Sequence, residues 1–257
     1  MKNETSRSMP RQKKSKRGGA IRALGAFLGI AGWGYALFVR PRMLQWGATD
    51  EEVKELYPRA DLVPNGVRSA TMATTIDAPP ERVWPWLVQM GYGRAGWYSW
   101  DRLDNFGDRS AERIHPEWQD IHVGDFLAPE VGATARAWQV AALDPQRFLC
   151  LRASFDLRQG RWYDPAEPQP PFSTLSTWGF WLKTTPEGRT RLIVSGYWSM
   201  KPKWLQPIFS VLVLEPSHWI MQTRQFTNLK RRVEQEMQAD VVQSPDGVLV
   251  TTPVAMR

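Results

Sequence analysis

Cysteine and histidine are both scarce in this 257-residue chain. Cys150 is the only cysteine, which excludes an intrachain disulfide and a zinc site built from cysteines. The three histidines, His115, His122 and His218, do not stand at compact ligand spacings from one another. The G-x-S-x-G, P-loop and H-E-x-x-H patterns are also missing. The sequence therefore predicts no bound metal and no cofactor.

Excess positive charge is confined to one end of the chain. Residues 1–17 carry seven lysines and arginines against one glutamate, and the formal net charge of the whole chain is +7. The rest of the chain is therefore nearly neutral, which argues against a nucleic-acid-binding face on a folded domain. We predict no nucleic-acid partner for the domain. A contact with nucleic acid remains an alternative only for the basic tail, residues 1–17.

An uncharged run, ALGAFLGIAGWGYALFV at residues 23–39, follows the basic tail. Its 17 residues approach the shortest length that spans a bilayer core as a helix. No small-x-small cleavage site follows, which favours a single-pass cell-membrane anchor over a secretory signal peptide; a helix lying flat in the interface is the other alternative. The basic tail predicts a cytoplasmic N-terminus. GAFLG, residues 25–29, has the GxxxG spacing of membrane helix dimers and allows a homodimer through this helix.

GYGRAG, residues 91–96, matches the G-x-G-x-x-G spacing of dinucleotide-binding loops. Such a loop must follow a strand and open a helix, so that a phosphate rests on the helix N-terminus. Here Val83, Trp84, Leu87 and Met90 recur at helical spacing just before the glycines. We therefore predict a helix end followed by a turn, instead of a nucleotide site.

Turn residues divide the next part of the chain into antiparallel strands. One hairpin is predicted across Asp144 and Pro145, and a second across TTPEG at residues 184–188. Pro216 suits the first turn of a long final helix. The apolar face predicted for this helix runs through Trp219, Thr223, Phe226, Leu229, Val233 and Met237. The predicted segments are a basic tail (1–19), a membrane anchor (20–39), a connector (40–66), the folded domain (67–237) and a flexible tail (238–257).

This order of strand, short helix, antiparallel strands and long final helix resembles that of the SRPBCC superfamily. The stretches that carry the resemblance lie within residues 70–225: TIDAPPERVWPWLVQMG, GRAGWYSWDRLDN, RIHPEWQDIHVGD, TWGFWLKTTPEGRTRLIV and LEPSHWIM. The chain is similar to membrane-anchored bacterial members of this superfamily, which includes START-type lipid-transfer domains and aromatic polyketide cyclases. The resemblance implies an α+β helix-grip fold, in which a curved antiparallel sheet wraps around the C-terminal helix and encloses an apolar cavity.

The 14 tryptophans favour a ligand-binding function, because their rings line apolar cavities and each offers one N–H donor. We predict that the protein binds or transports a hydrophobic small molecule or lipid while tethered to a membrane. The candidate ligand-binding residues are Trp97, Tyr98, Trp100, Trp118, Trp178, Trp181, Trp198, His218 and Trp219.

An enzyme of the cyclase or dehydratase type is the alternative, because a carboxyl or imidazole in an apolar pocket has a perturbed pKa and can move protons. Its catalytic candidates are Asp101 or His218 as acid and base, with Tyr98 as a hydrogen-bond donor. Asp101 equally suits a turn or helix cap, and His218 a structural role. A third interpretation is a protein-interaction module with exposed aromatic residues and no ligand.

Overall fold

The computed structural model describes residue 29 and residues 32–127 and 138–243 of the chain. In this part, one eight-stranded antiparallel sheet is combined with a long C-terminal helix. The predicted α+β class with an antiparallel sheet is therefore confirmed.

Two compact units divide the chain, residues 1–42 and residues 43–257. In the first unit, Tyr35–Val39 is π-helical. Across the described residues, no helix has both the length and the apolar character that crossing a bilayer requires. The basic tail, much of the predicted anchor and residues 244–257 lie outside the described residues, so what was predicted for them stays a prediction.

The regular elements alternate short helices with strands before the long final helix. The helices are α1 (Arg40–Leu44), α2 (Asp50–Lys54), α3 (Pro80–Val88), α4 (Asp101–Asp104), α5 (Gln206–Phe209) and α6 (Glu215–Gln243). The strands are β1 (Val67–Arg68), β2 (Met72–Ile76), β3 (Gln139–Asp144), β4 (Phe148–Asp156), β5 (Arg161–Trp162), β6 (Ser173–Thr184), β7 (Thr190–Ser195) and β8 (Tyr197–Lys201). A π-helical segment, Ser210–Leu214, joins α5 to α6.

The sheet has the strand order β1-β8-β6-β4-β3, and β6 pairs with β8 along one half and with β7 along the other. Gly196 stands where β7 passes into β8, and a Cβ there would lie 2.1 Å from the Thr177 carbonyl oxygen. Only glycine allows the backbones to approach so closely. Both predicted hairpins are confirmed, with Asp144 paired to Phe148 and with β6 paired to β7.

Helix α6 packs on one face of the sheet. Leu149, Leu151 and Phe180 point to that face and form one buried cluster with Phe226 and Leu229 of the helix. Burying each such side chain contributes about 1.5–3 kcal/mol. At this level the interface is filled by side chains, in contrast to the open cavity that the resemblance implies.

The segment predicted as a connector packs against the opposite face of the sheet. Tyr57 is 3% exposed, and its ring makes edge contacts with Phe148 and Trp181 at centroid distances of 6.0 and 5.8 Å. The compact unit accordingly begins at Met43, well before the domain start predicted at Val67.

Candidate functional site

A stripe of polar side chains runs along the inner face of α6, beside its apolar residues. Its members recur every three or four positions and therefore share one side of the helix: His218, Gln222, Gln225, Asn228 and Arg232. All of them except His218 are buried residues. Because a buried polar group is costly unless it is hydrogen-bonded, the partners of the stripe show what it holds in place.

Gln222 joins the helix to the sheet. Its Oε1 accepts a hydrogen bond from Nε1 of Trp178 at 3.1 Å, and its Nε2 donates to Oε1 of Gln225 at 2.8 Å. Nε2 of Gln225 then donates to the carbonyl oxygen of Trp97 at 2.9 Å. These bonds fix both amide groups and the orientation of the Trp178 indole.

Asn228 and Arg232 hold the two loops that flank α4. Nδ2 of Asn228 donates to the Tyr98 carbonyl at 2.9 Å, and Nε of Arg232 donates to the Ala111 carbonyl at 2.7 Å. The Arg232 guanidinium also lies 5.2 Å from the centre of the Tyr98 ring. Burial lowers the pKa of Arg232 below its ordinary value. This end of the stripe therefore has a positioning role for both loops.

His218 differs from the rest of the stripe in its hydrogen bonding. The residue as a whole keeps part of its surface exposed, but its Nε2 is buried, and no hydrogen-bond partner for this nitrogen lies among the described residues. Burial lowers the pKa of His218 to about 4, since the charged ring would lose its hydration. The imidazole is therefore neutral near pH 7, and Nε2 can donate or accept one hydrogen bond depending on the tautomer.

An aromatic cluster lies next to the stripe, with Trp178 at its centre. The ring centroids of Trp97, Trp138 and Phe180 lie 5.6, 5.4 and 4.8 Å from that of Trp178. Trp97 and Phe180 are buried, whereas Trp138 and Trp178 keep part of their surface exposed. Aromatic rings that are fixed by packing and remain partly exposed offer a flat apolar contact surface to a ligand.

Two further candidate tryptophans lie on opposite faces of the sheet. Trp198 pairs with Ser176, which is two residues from Trp178, so Trp198 shares the helix-facing side. Its ring centroid lies 6.4 Å from that of Phe209. Trp181 is three residues after Trp178 and faces the other way, against the segment around α2. The structure therefore does not bring Trp181 together with the cluster.

Three other aromatic candidates lie at the periphery. Trp118 stacks on His115 at a centroid distance of 4.3 Å, beside the main core. Trp100 is 44% exposed and Trp219 is 36% exposed. The indole N–H of Trp100 donates to the Ile220 carbonyl at 3.3 Å. These rings lie outside the cluster around Trp178.

Tyr98 and Asp101 are both engaged in hydrogen bonds within the fold. Tyr98 is fully buried, its phenol oxygen accepts from Nε2 of Gln89 at 2.7 Å, and burial raises its pKa above the ordinary value. Asp101 begins α4 and accepts a hydrogen bond from the Ser110 hydroxyl at 2.6 Å. Of the three predicted catalytic candidates, His218 is the one with a buried polar atom that has no hydrogen-bond partner among the described residues.

Asp104 is a carboxyl that was not among the predicted site residues. Neither of its oxygens has a hydrogen-bond partner of good geometry in the described part of the chain; the nearby Ser99 hydroxyl donates to the Met221 carbonyl at 3.0 Å and only partly opposes the rise in the pKa of Asp104. Burial raises the pKa of Asp104 to about 6. In the sequence both Asp101 and Asp104 look like capping residues, and the difference in their hydrogen bonding cannot be read from the local pattern.

The glycine loop at residues 91–96 closes on itself. Gly91 and Gly96 exchange two backbone hydrogen bonds of 3.0 and 2.9 Å. Gly91 has a φ of 137°, and a Cβ there would lie 1.8 Å from the Leu127 carbonyl oxygen. The glycines follow α3 as predicted, and their role is a tight, packed turn.

Two pockets lie away from the Trp178 cluster. One, of about 180 Å³, is lined by residues of β3, β4 and β5, among them Arg152, and by the segment that follows β5, including Tyr163. The other, of about 540 Å³, is lined by Trp46, Phe226 and residues of the later turns of α6. Across residues 32–127 and 138–243, no three His, Cys, Asp or Glu side chains are grouped so that they could hold a metal ion.

No protein-family model and no curated protein matches the chain. Among solved structures, protein MLL2253 from Mesorhizobium loti is similar at 17% identity and a TM-score of 0.36, covering 66% of this chain and 98% of that one. DynU16, a protein of the dynemicin biosynthetic locus, is similar at 18% identity and a TM-score of 0.35, covering 67% of this chain and 48% of that one. CalU16 from Micromonospora echinospora is similar at 14% identity and a TM-score of 0.28, covering 70% and 90%. This chain spans about half the length of DynU16, and similarity at this distance assigns neither a family nor an activity.

Proposed function

We propose that this chain is a helix-grip protein of the SRPBCC superfamily that binds a flat, apolar small molecule beside Trp178 and His218. The main support for this proposal is the buried Nε2 of His218, which has no hydrogen-bond partner in the described structure. Every other member of the polar stripe is committed to the loops that flank α4 or to Trp178. A buried polar atom without a partner is rare in folded proteins, and a bound ligand is one way of satisfying it.

The positions of the groups define the ligand chemistry. His218 precedes Gln222 by four residues, which is about 6 Å along the helix axis, and Gln222 holds the Trp178 indole at 3.1 Å. A ligand that stacks on the Trp178 cluster can therefore present one oxygen to His218. A hydroxyl or carbonyl group on a flat hydrocarbon body fits both contacts, whereas a carboxylate is disfavoured because the imidazole is neutral.

The low pKa of the His218 imidazole favours ligand binding over proton-transfer catalysis at this residue. General acid–base catalysis is most efficient when the pKa of the catalytic group lies near the working pH. The pKa of His218, about 4, lies well below neutrality. The cyclase or dehydratase alternative is instead supported by Asp104, whose pKa of about 6 suits proton transfer.

Ligand titration of the purified chain tests the proposal. Four probes represent the predicted classes: a fatty acid, an isoprenoid, a quinone and a polycyclic aromatic phenol. We expect the quinone or the phenol to quench tryptophan fluorescence saturably, and Trp178→Phe to weaken its binding by about three- to tenfold, the value of one aromatic contact. Trp181→Phe is the matched control, since Trp181 faces the other side of the sheet. Equal binding by both variants would reject this site.

We also propose that residues 20–39 tether the domain to a cell membrane, with the basic tail on the cytoplasmic side. The support is the uncharged run and the positive charge in front of it. Carbonate washing of membranes that contain the full chain should leave it in the pellet, and externally added protease should reach the domain in intact spheroplasts. Release by carbonate would reject the spanning anchor, and a protected domain would reverse its orientation.

A further inference from the structure

The helical segment from the end of β8 to the first turns of α6 exposes a series of large apolar side chains, here named the apolar ridge. They recur at roughly helical spacing and are 36–71% exposed: Trp204, Ile208, Leu212, Val213, Trp219 and Ile220. Single exposed apolar residues are ordinary, but a contiguous set marks an interaction surface.

A neighbouring loop widens this surface. Trp100 donates its indole N–H to the carbonyl of Ile220, which places the start of α4 beside the ridge. Leu103 and Phe106 follow in the same loop and are 72% and 84% exposed. The apolar surface is therefore built by two chain segments that are distant in sequence.

Within the segment that carries the ridge, residues 199–224, the exposed charge has one sign. Lys201, Lys203 and Arg224 are the basic residues of the segment 199–224. Its single acidic residue, Glu215, is 7% exposed and accepts a hydrogen bond from the Ser210 hydroxyl. The ridge segment therefore combines exposed apolar side chains with basic neighbours, which is complementary to an anionic lipid surface, while the neighbouring loop adds exposed charges of both signs, among them Arg102 and Asp108.

We propose that the apolar ridge lies in the interface of a bilayer that contains anionic lipids. Tryptophan prefers the headgroup level, which suits Trp204 and Trp219, while leucine and isoleucine enter the acyl boundary. The membrane tether proposed above for residues 20–39 supports this proposal, because it would confine the chain to a membrane. This proposal does not depend on the ligand site.

Site-specific fluorescence on the full-length chain tests the ridge. Leu212→Cys, labelled with an environment-sensitive dye, reports on the ridge, and Leu56→Cys is the matched control because Leu56 is 88% exposed elsewhere. The native Cys150 is 1% exposed, and burial raises its pKa to about 12, so it remains unlabelled. The labelled proteins are mixed with phosphatidylcholine vesicles with and without phosphatidylglycerol, each carrying a doxyl-lipid quencher.

The label at position 212 should shift to shorter wavelength and lose most of its emission to the doxyl lipid, more so with phosphatidylglycerol present. The label at position 56 should show neither the spectral shift nor the quenching by the doxyl lipid. Equal responses at the two positions, or an aqueous spectrum at 212 in both vesicle types, would overturn the proposal. Shielding of the 212 label that grows with protein concentration in the absence of vesicles would assign the ridge to a second copy of the chain instead.

Discussion

Trp178 donates its indole N–H to Oε1 of Gln222 at 3.1 Å, and this bond joins the sheet to the long helix beside the aromatic cluster. Gln222 is 1% exposed, so its amide would be costly to bury without this partner and Gln225. The same contact sets the direction of the Trp178 ring at a residue that is about one helical turn from His218. The candidate site is thus a continuation of the polar interface that holds the fold together.

Replacing Gln222 should destabilise the protein through the groups it leaves behind. Gln222→Ala removes the partner of Trp178 Nε1 and of Gln225 Oε1, so we expect a loss of about 1–3 kcal/mol in the free energy of unfolding. Urea denaturation measures this loss. Gln238→Ala, on the exposed side of the same helix, should change the free energy by less than about 0.5 kcal/mol. Equal effects of the two substitutions would contradict the assigned hydrogen bonds.

Stability should fall on mild acidification because of His218. Its pKa is 6.5 when exposed and about 4 in the fold, so below pH 6.5 the unfolded chain binds a proton that the folded chain refuses. The stabilising contribution is complete above pH 6.5 and is lost as the pH falls towards 4, by up to roughly 3 kcal/mol. Urea unfolding across this range should show a shallower loss for His218→Gln. His122→Gln, at a side chain that is 72% exposed, should retain the wild-type slope.

Asp104 should have the opposite dependence on pH. Its pKa rises from 3.8 to about 6 on folding, so its contribution to stability is complete below pH 3.8 and is lost as the pH rises through 6. The free energy of unfolding of Asp104→Asn should therefore rise relative to that of the wild type between pH 3.8 and about 6. Above this range the difference between the two proteins should stay constant. Thermal denaturation at several pH values detects the difference. If the exposed control Asp108→Asn produced the same gain, the effect could not be assigned to a buried carboxyl.

The segment before β1 should be indispensable to the domain. Tyr57→Ala should reduce the free energy of unfolding by about 3–5 kcal/mol, because it empties a buried aromatic site between Phe148 and Trp181. Leu56→Ala, at an 88% exposed neighbour, should have almost no effect. A chain that begins at Val67 should accordingly fail to fold, whereas cooperative unfolding of such a truncation would contradict this assignment.

Much of the fold could be predicted from local patterns. The turn chemistry at Asp144 and at residues 184–188 is sufficient to place both hairpins, because proline and glycine restrict where a strand can reverse. The final helix was also predicted, although Trp219 of its predicted apolar face is 36% exposed while Phe226 and Leu229 are buried. The packed role of Tyr57 was missed, since one aromatic residue in a polar stretch carries no periodic signal.

The polar side of the candidate site could not be predicted in the same way. In sequence, Gln222, Gln225 and Asn228 are indistinguishable from polar residues on a solvated helix face. They are buried because the loop after α3 places its carbonyl groups against α6, which is a long-range event that hydrophobic periodicity does not encode. His218 was predicted as a candidate site residue, but the lack of a hydrogen-bond partner for its buried Nε2 becomes visible only in the fold.

The most direct test of ligand binding at His218 is nuclear magnetic resonance of the full chain labelled with ¹⁵N in its histidine rings. Only His115, His122 and His218 give signals, and His218→Gln identifies the third. Our account predicts that the quinone or the polycyclic aromatic phenol shifts the Nε2 resonance of His218 saturably and leaves His122 unchanged. A probe that quenches tryptophan fluorescence while the His218 resonance stays in place would contradict the proposed site.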